Sequence, residues 1–341
     1  VITEQVELRD AARRLTGHLA AADADAAWRA IVEAGWTALT APLPLGGLGQ
    51  NLQAACWLYM ELGRTLSPVP LLPSLLAIEA LGACQPSAAR DAWIERIVGG
   101  ERIAMSLLDP TAMHLEGGVV HAVLGADRAR HALIVSSVDP IVALIVIDGR
   151  TASAAACPTW DTTRALFDLR LPGPMPGDGS VVARGAAAAA GCSAVSAHLH
   201  FAIAADCVGA AGAILEQTVE HLKTRRQFDR PLASFQALKH RCADLKVTIQ
   251  AAEALLADYL RQIDDRPCGE RLALARAAKS IASSAFREVA EAAMQMHGGM
   301  SMSVEHTCHL FLKRALLNEQ LPSANDTCEL AASCLPDRMT P

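Results

Sequence analysis

The stretch Thr224-Arg225-Arg226-Gln227-Phe228-Asp229-Arg230-Pro231-Leu232-Ala233-Ser234-Phe235-Gln236-Ala237-Leu238-Lys239-His240 is a polar and aromatic interruption between two long runs rich in alanine and leucine. Guanidinium forks suit phosphate oxygens, flat rings suit a flat ligand, and amides suit a nucleotide edge. By composition alone the same residues also describe an ordinary helix end, where basic side chains complement the macrodipole and a loop follows. The chain on either side decides between the two.

Upstream, residues 190–223 carry Val195, Leu199, Ile203, Val208, Ile214, Leu215, Val219 and Leu222 near helical spacing. Downstream, further helical runs cover 236–264, 271–297 and about 304–321. Gly298-Gly299 stops the third and Pro322 the fourth. Long helices with short connections describe an antiparallel four-helix bundle over 186–341. Residues 101–185 differ: short β-branched segments (Gly118 to Val123, Ala132 to Ser136, Ile141 to Ile147, Ala165 to Leu171) separated by Gly, Asp and Pro predict a small β domain. It ends in a Gly- and Pro-rich linker, Pro172 to Gly179. Residues 1–100 are helical again, with runs at 3–21, from Asp23 and Asp25 onward, 51–66, 71–83 and 87–98. The glycines between Ala41 and Gly49 read as a chain reversal, because no phosphate-loop pattern surrounds them. The fold class is mainly α with a small β domain between two helical ones.

Composition agrees: 52% of residues are apolar, the excess is alanine, and aromatics make up only 4%. A net charge of −6 with no run of five like charges argues against a dedicated nucleic-acid or membrane surface and leaves room for a local phosphate site. No stretch reads as a membrane span, and the first residues carry neither a basic flank nor a signal-like apolar core. The ten cysteines are scattered without a Cys-x-x-Cys pair; read as reduced thiols, they imply a cytoplasmic protein.

Other motifs carry less. His297-Gly298-Gly299 is either a helix cap or a place where backbone approaches a ligand closely, with Gln295 in reach. Glu305-His306-Thr307-Cys308-His309 lacks His-Glu-x-x-His spacing, and His198 and His200 lie two apart on one helix, so no metal site is expected. No Gly-x-Ser-x-Gly elbow supports a serine nucleophile. Met294, Met296, Met300 and Met302 read as core filling.

Together, Arg225-Arg226-Gln227-Phe228, Ser234 to His240, Ala277-Ala278-Lys279, Gln295-Met296-His297-Gly298-Gly299 and Glu305 resemble the acyl-CoA dehydrogenases. Gly35-Trp36, Pro42 to Gly49 and Glu61-Leu62-Gly63-Arg64 are similar to that family's first helical domain. The resemblance runs through nearly the whole chain in order. It implies a helical domain (1–100), a shortened β-barrel-like domain (101–185) and a four-helix domain (186–341), assembled so that FAD lies across a subunit interface. It places Arg225, Phe228 and Gln236 on the pyrophosphate and adenine side of a neighbour's flavin, with Gln295, Gly298 and Gly299 on the same cofactor. The implied reaction is α,β-desaturation of an acyl-CoA thioester. A glutamate takes the α-proton and the β-hydrogen leaves as hydride to the flavin.

The glutamate is not where the resemblance puts it. At one family position stands Leu199, and at the other, within Leu317 to Asn325, stands Pro322. Glu319, three residues early, is the weak candidate base; otherwise it reads as a solvated glutamate near a helix end. Asp206 lies seven residues past Leu199, about 10 Å along the helix axis. The Trp-bearing flavin segment expected after Leu107 to Ala112 is absent, and Asp229 replaces a glycine, unfavourable near a pyrophosphate unless it points away or pairs with Arg226 or Arg230. Motifs serving a neighbour's flavin are kept while those serving the chain's own active site are missing. The expectation is a non-catalytic subunit of a heteromeric dehydrogenase, a heterotetramer. A homologous partner would carry the base and most of the acyl-CoA contacts, a steroid side-chain CoA ester would be the substrate, and an electron-transfer flavoprotein the acceptor. A self-sufficient enzyme using Glu319 and a flavin-free scaffold are the alternatives.

Overall fold

The computed structural model describes residues 2–19, 23–108, 115–116, 118–137, 140–171 and 181–332. The Pro172 to Gly179 linker and Asp109 to His114 lie outside them. Helices α1 (Ile2–Leu19), α2 (Ala24–Glu33), α3 (Leu52–Arg64), α4 (Leu71–Gly82) and α5 (Ala88–Val98) come first. Asp23 caps α2, its carboxylate accepting from the Asp25 and Ala26 amides, and Asn51 and Ser87 cap α3 and α5 in the same way. Residues 41–49 reverse the chain. Gly49 N–H donates to Ala41 O at 2.9 Å, and a Cβ on Gly47 would stand 1.9 Å from that carbonyl.

Strands β1 (Ile103–Leu108), β2 (Leu115–Glu116), β3 (Val119–Leu124), β4 (His131–Ser136), β5 (Ile141–Val146), β6 (Ser153–Ala156), β7 (Leu166–Arg170) and β8 (Val181–Arg184) form one sheet. Its order is β6-β7-β3-β1-β4-β5-β8, with β2 beside β3. Among the described residues β6 and β8 stand at the two ends of this order. The β1–β4 pair is parallel and the others antiparallel. The sheet is covered on both faces, and strand periodicity shows it. Ile103, Met105, Leu107, Leu133 and Val135 join the helical core, while Ala104, Leu108, Ala132 and Ile134 join a second core with Val120, Val123 and Leu169.

Helix α6 (Ala186–Thr224) follows, then β9 (Arg226–Gln227), β10 (Arg230–Pro231), α7 (Gln236–Gln262), α8 (Cys268–His297), α9 (Cys308–Gln320) and α10 (Asn325–Ala332). Helix α10, which follows Pro322, is not among the helices expected from the sequence. Helix α6 is long and apolar enough to cross a membrane, yet 94% of its most apolar window is buried inside the fold, the environment of a core helix. Two glycines bring α3 and α6 into backbone contact. A Cβ on Gly209 would stand 1.8 Å from Met60 O, and one on Gly63 2.3 Å from Asp206 O. The order helices, sheet, helices matches the expected fold class.

Candidate functional site

One end of the bundle gathers the residues singled out from the sequence. Helix α6 stops at Thr224, and Arg225 turns into extended backbone while its N–H still donates to His221 O at 2.8 Å. The β9–β10 hairpin closes through Phe228 (φ 53°) and Asp229 (φ 61°), both in the left-handed region, as a two-residue hairpin turn requires. For a phenylalanine that conformation costs on the order of 1 kcal/mol. Phe228 is 84% exposed. Beneath it the Phe235 ring meets Phe228 edge-on at 6.2 Å and carries the Arg230 guanidinium at 3.9 Å. Arg226 donates to the Asp229 backbone carbonyl at 2.6 Å, and the Asp229 carboxylate forms no ion pair among the described residues. Of the two alternatives for Asp229, a carboxylate pairing with Arg226 or Arg230 is not made among the described residues. Arg225 and Gln236 are exposed beside this hairpin.

The end of α8 is fastened to the same place. His297 stacks on His221 with ring centroids 4.3 Å apart, meets His306 edge-on at 4.7 Å, and lies 3.3 Å from Thr218 Oγ1. Burial and the two neighbouring imidazoles push His297 down to about 4. Cys242 on α7 touches Met296 at 3.9 Å. Gln295, Gly298 and Gly299 are exposed. Gly298 has φ +65°, which explains a glycine as a helix stop; Gly299 has no such φ and nothing within 4 Å of an added Cβ. No contact inside this chain accounts for the second glycine. Met294 and Met296 pack on the core as expected, but Met300 and Met302 are exposed beside these glycines, so core filling fails for them.

The positions where a base would stand are occupied by structural contacts. Leu199 is buried in the core. In the turn after α9, His200 Nε2 and Ser323 Oγ lie 3.1 Å apart, and the fully buried Lys279 ammonium donates to Glu319 O, Ser323 O and Asn325 Oδ1 at 2.7–2.8 Å. Glu319 is not solvated. Its carboxylate accepts from Arg287 at 3.2 Å, with only 14% of the side chain exposed. Of the metal-like candidates, His309 has both ring nitrogens buried without a hydrogen-bond partner, while the others have partners. His306 Nδ1 accepts from Cys308 N–H, the Glu305 carboxylate takes the Ser303 hydroxyl, His198 meets Tyr59 OH, and no metal-holding cluster occurs among the described residues.

Asp206 belongs to a buried network that sequence reading missed. Arg314 reaches Asp161 at 2.7 Å, Asp206 at 3.1 Å and Thr163 Oγ1 at 2.7 Å; Arg164 reaches Asp206 at 3.0 Å and Asn318 Oδ1 at 2.7 Å. Burial would raise the Asp206 carboxyl, but Arg164 and Arg314 outweigh it and hold it below the usual carboxylate range. An aspartate paired in this way is a poor proton acceptor. Arg164 and Asp206 form one wall of a cavity of about 310 Å³ between α1, α2, α3, the 67–73 segment and the β3–β4 turn. Glu319 does not line it.

Comparison with known proteins bears on family and fold. Residues 3–101 match the family model "Acyl-CoA dehydrogenase, N-terminal domain", and residues 193–321 match "Acyl-CoA dehydrogenase, C-terminal domain". The chain belongs to the acyl-CoA dehydrogenase family. Acyl-CoA dehydrogenase IpdE2 of Mycobacterium tuberculosis is 35% identical over 301 residues, 86% of this chain and 81% of that protein. The same overall fold occurs in the Tcur3481-Tcur3483 steroid ACAD G363A variant (TM-score 0.82, 24% identity, 97% of each chain). It occurs again in the ChsE4-ChsE5 complex from Mycobacterium tuberculosis (TM-score 0.82, 21% identity, 96% of each chain). Dehydrogenases of this family are typically FAD-dependent.

Proposed function

We propose that this chain is the non-catalytic subunit of an FAD-dependent acyl-CoA dehydrogenase, clamping a flavin held at its interface with a homologous partner that carries the base. The observation that carries the reading is the contrast between the two ends of the chemistry. The donor set for a flavin nucleotide is present and turned outward: Arg225 for pyrophosphate oxygens, the raised Phe228 ring for a flat face, Gln236 and Gln295 for polar edges, and the open Gly298-Gly299 backbone. The positions for a proton acceptor hold Leu199 and a turn tied down by Lys279 and His200. These residues fit FAD; when bound, it supplies the hydride-accepting ring. Arg225 would neutralise phosphate charge and Phe228 would cover the nucleotide from water. The α-proton is left to the partner's carboxylate, because Asp206 is fully paired and Glu319 faces Arg287.

The two solved relatives whose names join two proteins, one described as a steroid ACAD, support a heteromeric assembly, read here as a heterotetramer, and a bulky CoA ester such as a steroid side-chain thioester as substrate. An electron-transfer flavoprotein or similar carrier would reoxidise the flavin, in the cytoplasm.

The test is to express the chain alone and with a homologous dehydrogenase subunit, then record flavin absorbance, oligomer mass and acyl-CoA desaturation. Flavin and turnover only in the mixed preparation are expected. Turnover by the chain alone that is abolished in Glu319→Gln would overturn the proposal in favour of a self-sufficient enzyme. Absence of flavin from both preparations would leave a scaffold.

A further inference from the structure

A second site lies on other elements. Arg29 and Trp28 of α2, Arg96 of α5, Gly100, Glu101 and Arg102 at the entry to β1, and Arg128, Arg130 and His131 at the entry to β4 line an open cleft of about 520 Å³, with Asp25 among them. Five guanidinium groups face two carboxylates in a chain whose net charge is −6.

The carboxylates do not neutralise the cleft. Arg102 and Arg128 both donate to the same Asp25 oxygen, at 2.7 and 2.9 Å, and Arg102 Nε is buried without an acceptor. Glu101 is gripped by Arg96 through two short bonds, at 2.6 and 2.7 Å, with His131 Nδ1 at 3.2 Å. Arg29 and Arg130 are exposed and form no ion pair among the described residues. The arginines are braced: the Arg96 guanidinium lies 3.8 Å over Trp93, and Arg102 lies 5.4 Å over Trp28, whose indole N–H donates to Gly100 O. Bracing of this kind lowers the entropy lost on binding. Asp25 is held below the usual carboxylate range by the Arg102 hydrogen bond, so it stays an anion that arranges the two guanidinium groups.

We propose that this cleft is a binding site for a compact polyphosphate group, either free or as the phosphate end of a nucleotide. Planar forks pair with phosphate oxygens two at a time, and several converge here. A folded protein partner fits less well, because a stable interface needs apolar anchors at its centre, and the tryptophan lining this cleft is buried.

The experiment is titration calorimetry on the full chain at low and physiological salt with tripolyphosphate, ADP, coenzyme A, sulfate and hexaglutamate. Tripolyphosphate or a nucleotide should bind well ahead of sulfate and weaken with salt. The variant Arg29→Ala/Arg130→Ala, two exposed changes with circular dichroism confirming the fold, should lose roughly tenfold or more per arginine. Arg150→Ala, exposed in another turn, should bind as the parent does. Tripolyphosphate matching ADP and coenzyme A assigns the site to phosphates alone; tighter nucleotides assign it to a nucleotide end. Binding no tighter than sulfate, binding unchanged in the double variant, or hexaglutamate binding as tightly as tripolyphosphate would each overturn the proposal. None of these readouts depends on flavin or turnover.

Discussion

At the scale of single residues, the buried charges are the most exposed to mutation. Arg314 is 1% exposed and balances Asp161 and Asp206, so Arg314→Met leaves two carboxylates in the interior without their shared cation. Removing one partner of such a set costs about 3–5 kcal/mol, which urea unfolding would read as a large drop in midpoint. A change of similar size at the exposed pair Arg261–Asp258 should cost under about 1 kcal/mol. The His297 stack gives a pH prediction with the same sign as a carboxylate held low by a salt bridge. Its imidazole falls from 6.5 unfolded to about 4 folded, so the unfolded chain takes up the proton first. Stability is complete above about pH 6.5 and declines as pH falls toward 4, by roughly 1–2 kcal/mol after screening. His297→Gln should flatten that part of the unfolding profile; an unchanged slope would assign the decline to other groups. Arg225, Phe228 and Gly298-Gly299 could be singled out as candidates because arginine, phenylalanine and paired glycine in that order carry their own chemistry. The Arg314 network was not, because Asp161, Asp206 and Arg314 are far apart in sequence and each looks like a surface charge.

Among the elements, helix ends and lengths could be read from periodicity, and caps such as Asp23 and the stop at Gly298 lie where turn chemistry put them. The α3–α6 crossing could not be read, since a glycine inside a helix signals only a weak helix former until its neighbour is known. Gly209→Ala drives a methyl into Met60 O and should destabilise by about 2 kcal/mol or more, or prevent folding. Gly269→Ala, in the first turn of α8 with nothing within 4 Å, should instead stabilise by about 0.5–1 kcal/mol. Thermal melts of the two variants should move in opposite directions. The sheet was partly legible: β-branched runs announced β3, β4, β5 and β7, whereas the exposed alanine strand β6 has no strand propensity and forms because β7 offers it a ladder.

For the whole molecule, the proposed reading makes cofactor retention a property of the assembly, because Arg225, Phe228 and Gln236 face outward. In a mixed complex, Arg225→Ala should lose FAD while the oligomer mass stays unchanged, because the side chain lies on an exposed hairpin and holds no internal contact among the described residues. Retained stoichiometric FAD would remove Arg225 from the clamp. The turn after α9 carries a further consequence. Lys279 and His200 hold its carbonyls and its serine hydroxyl from inside the protein, so a carboxylate placed there would meet anchors already committed elsewhere. On the proposed reading, the division of labour between two subunits behaves as an evolutionary ratchet. A lineage that has filled the vacated position with scaffolding cannot regain catalysis by one substitution, and the two genes become dependent on each other's survival.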